Sequence, residues 1–194
     1  MKVEKFLKFF KKTERLKYTL RHAWTGDKNR QESTAEHTWH MSIMAIVLTP
    51  YLKNKIDLMK VLKMIIIHDV GEAIVGDTPA FSKNHGDKHK VEKKAVLKIA
   101  GLLPNISKKE IINLYNEYKA KKSKEALFVK MLDIIDVIFQ HFVSDISTWC
   151  EEEFTFNLNR DSEKYFKDEP LLLALYDKIV RKLEEKVKKS KTPI

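Results

Sequence analysis

The chain has 194 residues, 43% of them hydrophobic and 33% charged, with a formal net charge of +10. That length is enough for one domain with a substantial core, and no stretch approaches the roughly 20 apolar residues that a membrane span needs. Only five Gly and five Pro punctuate long runs rich in Lys, Glu, Leu and Ile, which argues against a turn-rich β architecture and predicts an all-α fold.

A basic surface suits anionic partners: nucleic acid, a membrane face or phosphorylated small molecules. The Lys excess is spread along the chain, the pattern of a solvated surface, with part of it near the C-terminus. Cys150 is the only cysteine, so no disulfide forms within the chain, which fits a reducing cytoplasm. Its neighbours Glu151, Glu152 and Glu153 would raise a thiol pKa and argue against a nucleophile. The opening MKVEKFLKFFKK is amphipathic and interrupted by charge, unlike a signal peptide.

In chain order, Val3, Phe6, Leu7, Phe10 and Leu16 recur at helical spacing, predicting a helix over residues 3–20 that packs on the body of the fold. Arg21–Thr25 follow, Gly26–Asp27 mark a turn, and a loop continues to Glu32. Ser33, with Glu36 three residues on, makes a capping box. The helix it opens runs through Met41, Met44, Ala45 and Leu48 to Pro50. His37 falls on its apolar stripe, and His40 lies on a neighbouring face.

Asp57 caps the next predicted helix, whose run Met64–Ile67 leads directly into His68 and Asp69. Continued as a helix, Glu72 returns to their face, being three and four residues on. Gly76–Asn84 reads as a loop containing Asp77. Lys88–Leu102 is helical, and Ser107 with Glu110 predicts a capping box for Lys108–Lys121. Glu125–Thr148 is apolar nearly all round, the mark of a buried helix, yet it carries Asp133 and Asp136. Residues 151–168 are polar and read as irregular or partly helical. Leu171–Lys189 forms a last helix before a basic tail.

Charged groups set against apolar runs are costly unless they are paired or bind a metal. Three separate helices offer His37, the pair His68–Asp69, and Asp133. Two imidazoles and two carboxylates suit one divalent ion, with Co, Mn, Ni, Fe, Zn and Mg all compatible, and leave positions open for water and a substrate oxygen. His22, His85, His89 and His141 have no partner arrangement that suggests a ligand.

The order His37, His68–Asp69, Asp133 resembles the H…HD…D pattern of the HD-domain phosphohydrolases. RQESTAEHTW (Arg30–Trp39), HDVGEAIVGDTP (His68–Pro79) and FVKMLDIIDVIFQ (Phe128–Gln140) are similar to the corresponding blocks of the HD-domain 5′-deoxynucleotidases. The resemblance implies an HD-domain helical bundle, with residues 1–194 as a single domain whose core spans about residues 5–180. It further implies one divalent metal, a homodimer, and hydrolysis of deoxyribonucleoside 5′-monophosphates to nucleoside and phosphate. Within that scheme Glu72 and Asp77 are the catalytic acid/base candidates, their division of labour left open. Arg21 and Arg30 are the cations expected at the phosphate, and Trp24 is expected against the sugar. Lys83, Lys88 and Lys90 could add attraction for the nucleotide. No stable nucleic-acid or membrane partner is expected. The alternatives are another HD activity, a cyclic-nucleotide phosphodiesterase or a triphosphohydrolase, and a basic nucleic-acid-binding protein with a vestigial site.

Overall fold

The computed structural model describes residues 2–79, 81 and 85–190, with backbone alone for 85–88. The expectations for Lys83, for the side chains of His85 and Lys88, and for the tail beyond Ser190 lie outside the described residues. Helices dominate: α1 (Lys2–Thr13), α2 (Thr34–Leu48), α3 (Leu58–His68), the short α4 (Glu72–Val75), α5 (His85–Ala100), α6 (Asn105–Ala120), α7 (Lys124–Val143), α8 (Glu151–Leu158) and α9 (Pro170–Ser190). Two strands, β1 (Leu20–Trp24) and β2 (Gln31–Ser33), pair antiparallel.

The core gathers around α7, which packs against α2, α3, α6 and α9. Leu132, Ile135 and Val129 of α7, Met41 and Ala45 of α2, Val61, Met64 and Ile65 of α3, and Leu172, Val180 and Leu183 of α9 are essentially inaccessible to solvent. Each large side chain so buried contributes about 1.5–3 kcal/mol relative to exposure. A second cluster joins Val70 and Ala73 to Val96 and Ile99 of α5 and Ile111 and Tyr115 of α6, and Phe6, Phe9 and Leu16 pack against it.

The Ser33 capping box is present: Ser33 Oγ accepts from the Glu36 amide, and Glu36 Oε2 accepts from the Ser33 amide at 2.9 Å. Asp57 caps α3 by accepting from the Lys60 amide at 3.1 Å. Other expectations are corrected. The first helix stops at Thr13, and the presumed loop from Arg21 to Glu32 is the β1–β2 hairpin. The Ser107 box does not form, because Pro104, held by its ring at φ −60°, is the N-cap and starts α6 earlier. The long seventh helix ends at Val143.

The largest correction concerns the stretch after Ile67. It is not one helix: Asp69, at φ −111° and ψ 14°, leaves the helical region, and α4 begins afresh at Glu72. The break lets α4 lie against α5 at Gly71, where an added Cβ would sit 3.1 Å from Val96 Cγ2 and 3.2 Å from the Glu92 carbonyl. Gly76 ends α4 at φ 77° and ψ 169°, a conformation essentially reserved for glycine, and redirects the chain into Asp77.

Candidate metal centre and catalytic pocket

Helix α2 carries His37 into the core on the stripe that also buries Met41 and Ala45. Its Nδ1 lies 2.5 Å from Asp136 Oδ2. His40, one turn on, bonds the other oxygen of the same carboxylate through its Nδ1. At the end of α3, His68 Nδ1 lies 2.6 Å from the Ile65 carbonyl. A carbonyl only accepts, so His68 Nδ1 carries the proton and Nε2 keeps its lone pair. Asp136 fixes the same tautomer in His37.

The two free nitrogens converge. The rings of His37 and His68 are 5.5 Å apart between centroids. Both Nε2 atoms are buried and neither has a hydrogen-bond partner among the described residues. Asp69 Oδ2 lies 3.0 Å from His68 Nε2, out of hydrogen-bond alignment, and 3.9 Å from His37 Nε2. Asp133 Oδ1 lies 3.6 Å from His37 Nε2. Burying two imidazole nitrogens unpaired is costly, whereas a divalent cation shared with the two carboxylates satisfies all four groups. His37, His68 and Asp69 each place a ligand atom within 4.8 Å of the others. Asp133 stands beside them, its Oδ2 accepting from Lys130 Nζ at 2.9 Å and Tyr118 OH at 3.2 Å.

The electrostatics agree with a cation. Burial and Arg21 both push the His37 imidazolium down, but Asp133 and Asp136 prevail and hold its pKa at about 10. The pocket thus favours positive charge where the ligand nitrogens meet. Burial raises Asp69, yet His68 and Arg21 keep it well below the usual carboxylate range. Asp133 is likewise held low, against burial, by Lys130 and the histidines.

Beside this cluster, Arg21 on β1 is almost buried, with Nη1 3.4 Å from Asp69 Oδ2 and 3.7 Å from Asp77 Oδ1, and Nε 3.5 Å from Glu32 Oε2. Burial alone would weaken its charge, but the surrounding carboxylates raise its pKa and it stays a guanidinium. Glu72 is 7% exposed and accepts from Thr34 Oγ1 at 2.8 Å. Burial, then Asp69 and Asp77, push its pKa well above the ordinary value, so its carboxyl tends to keep a proton. Burial and Asp136 likewise raise Glu32, to about 7.

Arg21, Asp69, Glu72, Asp77 and Asp133 line one cavity of about 780 Å³. Its remaining walls include Lys119, Lys121, Lys130 and Lys164, the aromatics Phe81, Phe156 and Tyr165, and the trio His22, His141 and Glu153. The expected Lys90 is exposed and outside this lining. Arg30 and Trp24 are also outside it. Arg30 turns outward to chelate Glu36 with both guanidinium nitrogens, because the capping carboxylate is its nearest acceptor. Trp24 ends β1, and its carbonyl accepts from Gln140 Nε2 at 2.6 Å, which serves to fix the hairpin to α7. Sequence reasoning missed Glu32, Thr34, Tyr118 and Lys130. Asp136 was noticed within its apolar run but not given its task of holding His37. The spacing of three residues from Asp133 was the available signal.

Comparison with known proteins shows the family. The family model described as "HD domain" matches residues 13–171. The 5′-deoxynucleotidase HDDC2 of Danio rerio is 37% identical over 140 residues, covering 71% of this chain and 68% of the relative. That of Dictyostelium discoideum is 35% identical over 144 residues, covering 71% and 76%. A crystal structure from Magnetospirillum magnetotacticum MS-1, titled a predicted metal-dependent phosphohydrolase, superposes with a TM-score of 0.83 at 27% identity, covering 96% of this chain and 97% of that one. The PH0347 protein of Pyrococcus horikoshii OT3 gives 0.67 at 26% identity, covering 91% and 99%. An H…HD…D order whose members meet around two buried imidazole nitrogens, within a family match over most of the sequence, places the chain in the HD-domain family, with the 5′-deoxynucleotidases.

Proposed function

We propose that the protein hydrolyses deoxyribonucleoside 5′-monophosphates to nucleoside and phosphate, with His37, His68, Asp69 and Asp133 holding one divalent ion. The observation that carries this reading is the pair of buried, unpartnered Nε2 atoms of His37 and His68 facing two carboxylates beside Arg21. The activity of the similar 5′-deoxynucleotidases supports the substrate class. When bound, the ion supplies Lewis-acid polarisation of a phosphoryl oxygen and lowers the pKa of a water.

The protein's own groups do the rest. Arg21 binds the phosphate with its planar pair of donors, oriented by Glu32, Asp69 and Asp77. Glu72, its pKa raised by burial and its Oε2 held by Thr34, is the donor of a proton to the leaving 5′-oxygen. Asp77, across the guanidinium, orients the attacking water. Lys119, Lys121, Lys130 and Lys164 offset part of the carboxylate charge that lines the cavity.

We read the whole chain as one HD domain in the cytoplasm, as its single cysteine suggests. We also read it as a homodimer that covers the exposed Trp39, Ile43, Val47 and Tyr51 in and just after α2. The deciding experiment is phosphate release from a panel of deoxy- and ribonucleoside 5′-monophosphates, 3′,5′-cyclic nucleotides and triphosphates, with Co, Mn, Ni, Fe, Zn or Mg and with chelator. Phosphate and deoxynucleoside as products, abolished by chelator, support the proposal. A triphosphate or a 5′-monophosphate as product, or turnover indifferent to chelation, refutes it.

A further inference from the structure

A second set of donor atoms meets in the wall of the same cavity, on residues that the hydrolytic scheme does not use. Glu153, at the start of α8, has a side chain only 2% exposed. Its Oε1 lies 2.8 Å from His22 Nδ1 of β1 and 2.8 Å from His141 Nε2 of α7. The other nitrogen of His141, Nδ1, lies 2.8 Å from the Val137 carbonyl. A carbonyl accepts only, so that nitrogen bears a proton. At 2.8 Å the His141 Nε2 contact to Glu153 Oε1 is a hydrogen bond with a proton between the two atoms, so His141 steadies the carboxylate from α7.

Around that carboxylate, His22, Cys150 and Glu153 each place a ligand atom within 4.8 Å of the other two. Donors about 2.0–2.3 Å from a tetrahedral zinc stand roughly 3.2–3.8 Å apart, so only a small contraction closes the site. An imidazole, a thiolate and a carboxylate form a borderline-soft set unlike the sulfur-free cluster at His37.

We propose that His22, Cys150 and Glu153 hold a zinc-class ion that clips β1 to α8, with His141 steadying Glu153 from α7. Loading releases the Cys150 thiol proton, so uptake acidifies the medium. Since His22 follows Arg21 directly on β1, the clip anchors the strand that presents Arg21 to the cavity.

The chain's only cysteine makes the test specific. Metal-stripped full-length protein is titrated with Co²⁺, and the near-ultraviolet sulfur-to-cobalt charge-transfer band is followed. We expect the band in the wild type and in His68→Ala, its loss in Cys150→Ser, its displacement by Zn²⁺, and at least tenfold weaker cobalt affinity at this band in His22→Ala. Far-ultraviolet circular dichroism checks folding, and His22→Gln replaces His22→Ala if helical signal is lost. Cobalt uptake by the wild type with no such band overturns the proposal. So does a band whose intensity and affinity are unchanged in the His22 variant, which would mean that the thiol acts alone.

Discussion

Asp136 Oδ2 and His37 Nδ1 lie 2.5 Å apart, and both residues are wholly buried. This contact decides which nitrogen of His37 faces the pocket, and His40 on the second oxygen keeps the carboxylate from turning. We expect Asp136→Asn to lower divalent-metal affinity by about 10–100-fold, because an amide fixes neither the tautomer nor the orientation as firmly. Metal titration of the purified variant measures this. Wild-type affinity would remove Asp136 from the site's design.

Ligand loss should be more severe. His68→Ala and Asp69→Ala are expected to lose bound metal and turnover together, with metal content read by mass spectrometry and activity by phosphate release. A variant that retains turnover without metal would dismantle the mechanism.

Arg21 and Arg30 should respond in opposite ways. Arg21 is enclosed by Glu32, Asp69 and Asp77, whereas Arg30 faces solvent on Glu36. Arg21→Lys loses the two-pronged grip on phosphate and should reduce kcat/KM by about tenfold or more, which corresponds to about 1.4 kcal/mol of transition-state binding. Arg30→Ala should leave kcat/KM within about twofold. Steady-state kinetics on one nucleotide compares them, and equal effects would contradict the geometry.

Gly71→Ala tests the approach of α4 to α5. The backbone there is ordinary for any residue, at φ −62°, so the cost is steric and comes from Val96 and the Glu92 carbonyl. Forcing a methyl into such a contact should destabilise the fold by about 1–3 kcal/mol in urea denaturation. A neutral outcome would mean that the two helices part freely.

Glu36 gives a prediction about pH. Hydrogen bonding from Arg30 above all lowers its folded pKa from 4.5 to about 2; burial opposes it, and the Ser33 cap adds to the lowering. A depressed folded pKa contributes stability that is complete above the unfolded value and is lost as pH falls from about 4.5 through about 2. Glu36→Gln, which can still cap, should flatten the fall in urea midpoint across that window. An unaltered pH profile would assign acid sensitivity to other carboxylates.

Much of this was legible in the sequence for identifiable reasons. Ser33 and Glu36 form a local motif, so the start of α2 and hence the inward direction of His37 could be read directly. The all-round apolar character of α7 announced a buried helix, and its aspartates were therefore conspicuous. What escaped reading depends on distant partners. LRHAW in β1 shows no clean alternation, since it pairs only with the short β2. The chain break at Asp69 is imposed by packing at Gly71, so helical spacing misjudged how Glu72 reaches the pocket. His22, His141 and Glu153 come from three different elements, and no periodicity joins them. Arg30 lies outside the cavity because the nearby capping carboxylate of Glu36 holds it, a contact that depends on how the hairpin folds.

The junction between β2 and α2 has a consequence for how this sequence can change. In six consecutive positions Glu32 braces Arg21, Ser33 caps the helix, Thr34 steadies Glu72, Glu36 closes the cap and His37 enters the core. A single inserted residue just inside α2 would rotate everything downstream by about 100° and advance it 1.5 Å. Evolution and the protein engineer can therefore exchange letters here but not alter the spacing, whereas the exposed bend at residues 26–29 could accept added length.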